Sequence, residues 1–339
     1  MGCYDCMEAM ERSKLVKTSM NIQTADDRSW SRRDGAASVL GRLRGVILLG
    51  GSVRPGTFIS QIGRPVYLLP LESNLSILDL WRREIWRMCE LLGLRGLSVK
   101  VMIDRNTTKR EPAVNTMEVG SLAPVSFERD PVDYRGTGGV LHDVGRQFED
   151  GEYILAANAA QVLTASLAET TVRLADLDAD VAIVSHTDGT PSGISLIRCG
   201  ALRELPPEGF VDFKEQALPA ISGAGRVRVL ELDQTIGMPV RSLTNYVQVV
   251  RRHHQRRDGR RVDEPFFEDW TPAFSIVEQG ATAHAGAMLH DSVVLSGGSV
   301  EADAVLVQSV VCPGGIVARG RRCVDELIGG NDGPKGRIS

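Results

Sequence analysis

The sequence predicts an α/β domain built on a mostly parallel sheet, followed by a short left-handed parallel β-helix. Three observations carry this. Apolar runs of strand length alternate with amphipathic segments of helix length from Arg44 to about Val250. Those runs are apolar throughout rather than half polar, as strands covered on both faces are. Finally, Ile276, Thr282, Met288, Val294, Val300 and Leu306 recur every six residues, and Gly280, Gly286, Ser292, Gly298, Ala304 and Val310, mostly small, follow each of them four places later. At three hexads per turn, these make about two coils.

The elements follow in order. Residues 1–43 are polar, charge-mixed and aperiodic, and are expected to be a poorly ordered extension. Arg44 to Leu49 reads as a short buried strand that ends in a glycine pair. Ser76-Ile77-Leu78-Asp79 is a capping-box sequence, and it opens a helix with Ile77, Leu80, Trp81, Ile85 and Met88 on one face. Leu97 to Ile103 is a strand. The turn Arg135-Gly136-Thr137-Gly138-Gly139 leads into a short helix through Val144. Tyr153 to Ala157 is a strand, followed by a long helical pattern in AQVLTASLAETTVRLADL. Val181 to Ser185 and Gly193 to Arg198 are further strands. The expected domains are therefore 44–250, a linker at 251–275, the hexads at 276–317 and a tail at 318–339.

Bulk properties narrow the function. The 339 residues carry a formal net charge of -4, with 42% hydrophobic and 24% charged residues, which gives no global reason to expect nucleic acid or a membrane as partner. The apolar runs are far shorter than a membrane span. The first residues have no apolar signal core, which points to a cytoplasmic location. Cys6 stands where a myristoylation motif needs Ser or Thr. Only Cys3 and Cys6 form a C-x-x-C, with no second pair or nearby His to complete a zinc site. The run from Arg251 to Arg261 has no interleaved aromatic residue and reads as a charged helix end and solvated linker.

A strand, a glycine loop and a basic residue suit a nucleoside triphosphate, since glycine lets backbone N–H groups approach phosphates and arginine offers a fork-shaped cation. Joined to the hexads, the motif order resembles the sugar-1-phosphate nucleotidyltransferases, or nucleotide-sugar pyrophosphorylases, over roughly Arg44 to Val317. The resemblance implies a Rossmann-like nucleotidyltransferase domain that acts on an NTP and a sugar phosphate. In that family an alanine-Gly-Gly loop with a Gly-Thr-Arg precedes a Pro-Lys pair and a Leu-Leu-Pro segment. Here Leu49-Gly50-Gly51-Ser52-Val53-Arg54 takes the loop's place. Gly63-Arg64-Pro65, before Leu68-Leu69-Pro70, takes the second place. The resemblance makes Arg54 and Arg64 the catalytic cations, and Leu49, Gly50, Gly51, Ser52, Gly136, Thr137 and Gly138 the nucleotide contacts. It directs Asn158, Lys214 and Glu215 toward the sugar phosphate. Lys214 and Glu215, in Gly209-Phe210-Val211-Asp212-Phe213-Lys214-Glu215, read equally as an exposed pair.

The family uses Mg²⁺, held by one aspartate after an Asn-Gly pair and another before a Gly-Thr-Pro. Here these places read Asn158-Ala159-Ala160 and Thr235-Ile236-Gly237-Met238-Pro239, so the ligands are not recognisable and no metal residues are assigned. Asp233 is close enough in sequence to compensate. Two functions follow: transfer of a nucleotidyl group to a sugar 1-phosphate with release of pyrophosphate, or a non-catalytic nucleotide-sugar sensor or regulatory subunit. A hexad-repeat acyltransferase using His284 or His290 is disfavoured, because about two coils make too small a prism. A homo-oligomer joined through the β-helix is the expected assembly.

Overall fold

The computed structural model describes residues 23–24, 33–51, 57–103, 123–130, 134–257 and 272–330, with backbone alone at 23–24 and 33–34. The chain divides into two units. One comprises 1–53, 81–159 and 163–237; the other comprises 54–80, 160–162 and 238–339. The stretch after the glycine pair therefore belongs with the C-terminal strands, a division that the linear order of motifs does not suggest.

The first unit is a mixed α/β structure around one eight-stranded sheet. Its strands are β1 (Gln23–Thr24), β2 (Leu43–Leu49), β3 (Ser98–Ile103), β4 (Ser126–Arg129), β5 (Tyr153–Asn158), β6 (Val181–His186), β7 (Pro191–Arg198) and β8 (Val227–Leu232). They lie in the order β1-β8-β6-β7-β5-β2-β3-β4. Only β7 runs antiparallel, pairing β5 on one side and β6 on the other; the remaining pairs are parallel. Val46, Ile47 and Leu48 are all fully buried, as the unbroken apolar run requires of a central strand. The helix Gly136–Gly145 lays Val140, Leu141 and Val144 on Ile47, Met102, Ile154 and Ala156, which closes one face.

Two expectations change. The segment 1–43 contributes more than a loose extension: Gln23–Thr24 pairs with β8, and a helix spans Arg33–Leu40. The long helix expected after β5 is divided. Gln161–Leu163 is extended, and the helix is only Leu167–Ala175, started by Ser166, whose hydroxyl accepts the Glu169 N–H.

In the second unit, Ser76 and Asp79 form the expected reciprocal cap: the Ser76 N–H donates to Asp79 Oδ2, and the Asp79 N–H donates to Ser76 Oγ. The helix Leu243–Arg257 carries its basic run to Arg257. Its Tyr246 hydroxyl donates to the Pro70 carbonyl at 2.6 Å.

From Ser275 to Ile328 the same unit forms three parallel sheets of four, three and three strands. Each strand partner lies 17 residues further on: Ser275 beside Ser292, Thr282 beside Ser299, Met288 beside Val305. One core is shared by all three sheets, with Val294, Val311 and Ile328 from the first, Val300 and Val317 from the second, and Leu306 and Cys323 from the third. Val277, Ala283 and Leu289 pack against it. The inward positions step by six, six and then five residues, so the strict hexad is replaced by a 17-residue period. Ile276, Thr282 and Met288 consequently lie one place off the inward register, and Met288 is 53% exposed. The strands also continue past Val317 to Ile328. Left-handed corners repeat at the same interval, with Gly280, Gly297 and Gly314 at φ 84, 83 and 78, and Asp291, Gln308 and Asp325 at φ 45, 49 and 54.

Candidate functional site

The chain leaves β2 for β3 and β4 on one side, then returns to place β5 on the other. This reversal of strand order falls at β2 and β5, and open α/β sheets bind ligands at the C-terminal strand ends of such a point. Leu49 faces Met102 on β3 and Asn158 on β5. The Gly50 N–H donates to the Met102 carbonyl at 2.9 Å, and the Ala159 N–H donates to the Leu49 carbonyl at 3.0 Å. Leu49, Gly50 and Asn158 thus meet at one edge, with Gly51 and Asn158 exposed. Ser52 and Arg54 lie outside the described residues.

The two other motifs assigned to the site meet each other. The Val211 carbonyl accepts N–H bonds from Gly138 at 2.9 Å and Gly139 at 3.2 Å, and the Val211 N–H donates to the Arg135 carbonyl at 3.0 Å. The Phe213 N–H donates to Thr137 Oγ1 at 3.2 Å. Gly136 sits at φ +72, and a Cβ there would lie 2.4 Å from the Val211 oxygen. Glycine is therefore demanded by a close backbone approach as well as by φ. The Gly138 amide serves this internal contact, so Gly136 and Thr137 are the members of the turn whose N–H groups begin the helix. The turn lies at the same sheet edge as Gly50, because its helix connects the end of β4 to the start of β5. Asp212 caps the next turn through the Lys214 and Glu215 N–H groups at 2.8 and 2.9 Å, and both of those side chains are exposed.

Arg64 is held elsewhere. In the second unit its guanidinium makes two bonds to Glu278, Nη1–Oε1 at 2.8 Å and Nη2–Oε2 at 2.9 Å. Val66, on the other side of Pro65, is buried. The cation assigned to the phosphates at this motif is thus engaged by a carboxylate, and its neighbour across the proline is apolar.

The fit to Mg²⁺ can be tested at the two aspartate positions. The chain after β5 and the chain after β8 run side by side: the Thr164 N–H donates to the Ile236 carbonyl at 2.9 Å, and the Thr164 hydroxyl donates to the Thr235 carbonyl. With the Val240 N–H on the Ala160 carbonyl at 2.9 Å, these bonds run the segments antiparallel and set Ala160 opposite Val240 rather than Thr235. Their side chains do not suit the ion, because Ala159 and Ala160 offer no ligand and Thr235 offers a hydroxyl where Mg²⁺ is usually held by carboxylate. Asp233 is an exposed carboxylate one residue beyond β8. Among the described residues, no group of three or more His, Cys, Asp or Glu side chains is arranged to hold a metal. No described helix is long and apolar enough to cross a membrane.

Sequence reasoning missed Arg135 as a structural centre of the site. It is a buried arginine, 2% exposed, between an exposed Tyr134 and the glycines. Its signal in the sequence was only its place beside the glycine run.

No protein-family model matches the chain, and no curated protein matches it. Among solved structures, HddC from Yersinia pseudotuberculosis is similar at a TM-score of 0.43 and 14% identity, covering 62% of this chain and 100% of that one.

Proposed function

We propose that this chain is a nucleotide-sugar pyrophosphorylase-like protein that binds a nucleotide or nucleotide sugar without transferring it, as a sensor or regulatory subunit. The observation that carries the reading is the sequence Asn158-Ala159-Ala160 at the C-terminal ends of β2 and β5, beside Leu49 and Gly50. The architecture and its glycine turns are those of a ligand site, while the place that a metal-dependent transfer requires to be carboxylate is alanine. The backbone around Gly50 and Gly51 would approach the phosphates, and the Gly136 turn with the 210–215 segment would take the base and sugar. Mg²⁺ does not fit the side chains at the two family positions. In this reading the three C-terminal sheets are a left-handed β-helix of 17-residue coils.

Transfer is the second reading, and the exposed Asp233 favours it. A sugar-phosphate oxygen would attack the α-phosphorus of the triphosphate and pyrophosphate would leave. The protein's work would be positioning and charge neutralisation.

Titration calorimetry with ATP, GTP, UTP, CTP and dTTP and their common diphosphate sugars, each with and without Mg²⁺, tests the proposal. A pyrophosphate-release assay over several sugar phosphates accompanies it. Binding that is indifferent to Mg²⁺, with no release, is expected. Absence of binding to every compound would overturn the proposal, and brisk Mg²⁺-dependent release would replace it with the second reading.

A further inference from the structure

We infer that Arg135 is the positioning residue of the nucleoside half of the site, locking the Gly136–Gly139 turn to the 206–213 segment; this rests on the binding function just proposed. The buried guanidinium reaches three parts of the chain. Its Nε and Nη2 grip Asp143, two turns further along the helix, at 2.9 and 3.2 Å. Its Nη1 donates to the Gly209 carbonyl at 2.7 Å, and Nη2 donates to the carbonyls of Pro206 and Pro207 at 3.0 and 2.9 Å. Two prolines and a glycine with positive φ give this segment little regular hydrogen bonding of its own, so the arginine supplies the acceptors' partners.

Asp143 in turn is oriented by His142, whose Nδ1 donates to Oδ1 at 2.9 Å. Burial alone would push the Asp143 carboxyl up. The hydrogen bonds from Arg135 and His142, with the charges beside them, outweigh burial and hold it below the usual carboxylate range. The pair therefore stays ionised at neutral pH. Only a planar fork serves both carboxylate oxygens and three carbonyls at once, and a lysine cannot. The same clamp aligns Phe210, 52% exposed, with the turn, since its ring lies 3.1 Å from where a Gly136 Cβ would stand. Without the fork the 206–209 stretch loses its hold on the turn, and Phe210 its alignment with it, while Val211 and the β2–β5 edge, which have their own backbone bonds, keep their places.

The test compares Arg135→Lys, Arg135→Ala and Asp143→Asn with the wild type in titrations against the five nucleoside triphosphates and against inorganic tripolyphosphate. Melting and circular dichroism check the fold of each variant. Expected is a loss of about tenfold or more in nucleotide affinity for Arg135→Lys, of the order that small misplacements produce, with tripolyphosphate affinity unchanged. A lesser loss for Asp143→Asn, which still accepts one arginine bond, would agree. Equal loss of both ligands, or loss of neither, in folded Arg135→Lys overturns the positioning role while leaving the binding function standing. A wild type that binds tripolyphosphate and no nucleoside triphosphate more tightly overturns the role as well. A wild type that binds neither overturns the binding function and the role with it.

Discussion

Arg64 and Glu278 form a two-pronged ion pair, at 2.8 and 2.9 Å, between the segment after the Gly50-Gly51 pair and the end of the first C-terminal strand. The two side chains are only 20% and 14% exposed, and Glu278 Oε2 also accepts the Ser296 N–H at 2.7 Å. Removing either partner leaves the other charge partly desolvated and unpaired. Arg64→Gln and Glu278→Gln are each expected to cost about 1–3 kcal/mol of stability, the range for a hydrogen bond to a charged group. Urea titration reads this. Arg64→Gln is expected to leave nucleotide affinity unchanged, and a variant of full stability with weakened triphosphate binding would return Arg64 to the phosphates.

Gly136 and Gly63 separate two reasons for glycine. Both have positive φ, +72 and +70, but only at Gly136 would a Cβ strike backbone, whereas at Gly63 nothing lies within 4 Å. Gly63→Ala should therefore cost about 1–2 kcal/mol, the left-handed penalty alone. Gly136→Ala should cost clearly more, because the Val211 carbonyl must move and two N–H bonds go with it. Equal losses in paired thermal melts would show that the 210–213 segment gives way freely.

The C-terminal strands stand or fall by their 17-residue register. Leu306 is fully buried in the core that all three sheets share. Leu306→Ala should destabilise this region by about 2–5 kcal/mol, as buried Leu truncations do. Met288→Ala should be nearly neutral by comparison, since Met288 faces out. Hydrogen exchange over residues 275–328 would resolve the two, and a larger effect at Met288 would restore the strict hexad register.

Particular residues explain how much of this was legible. The runs Val46–Leu49 and Tyr153–Ala157 declared buried strands, and the glycine pair marked the sheet edge, because two-face burial leaves an unmistakable apolar run. The reversal of β7 was not legible, since antiparallel pairing inside such a sheet needs no different composition. The coil period was misread because Ile276 and Val294 are both apolar and both buried, yet Val294 belongs to the core that the three sheets share and Ile276 does not. A six-residue count joins them, while the five-residue corner between Leu289 and Val294 leaves no mark in composition. The glycine turn and the 209–215 segment were both assigned to the site, but their direct contact was not legible. That Val211 meets the turn is a long-range contact, and Arg64's choice of Glu278 spans more than half the chain.

The magnesium positions yield a gain-of-function test. Ala160 and Thr235 stand where the family resemblance requires carboxylates, and neither supplies one. Ala160→Asp combined with Thr235→Asp should make nucleotide affinity depend on Mg²⁺, since paired carboxylates with substrate phosphates are the usual holders of that ion. Wild-type affinity should be the same with Mg²⁺ or with a chelator present. Calorimetry showing Mg²⁺ dependence already in the wild type, and its loss in Asp233→Asn, would assign the ion to Asp233.

His254 makes a pH-sensitive fastening within the second unit. Its Nε2 donates to the Leu71 carbonyl at 2.7 Å, and its ring stacks on Phe274 at 5.7 Å. Burial pushes its pKa down, the Leu71 carbonyl opposes this, and the nearby charges of His253 and Arg257 add to the lowering, against a pull from Glu72. The folded pKa thus lies below the unfolded value of about 6.5. Between the two values the unfolded chain binds more protons, so stability rises with pH. The contribution is complete above the unfolded value and is lost as pH falls through the folded one. Glu72, lowered by its bond with His253 and by Arg257 against its own burial, loses its contribution only in the more acidic carboxylate range, which keeps the two windows apart. Urea midpoints of the wild type should therefore drop between about pH 7.5 and pH 5.5. In His254→Gln, which keeps a donor for the Leu71 carbonyl but cannot ionise, the drop should be smaller. Parallel curves for the two proteins would place the fastening outside the unfolding transition and refute its role.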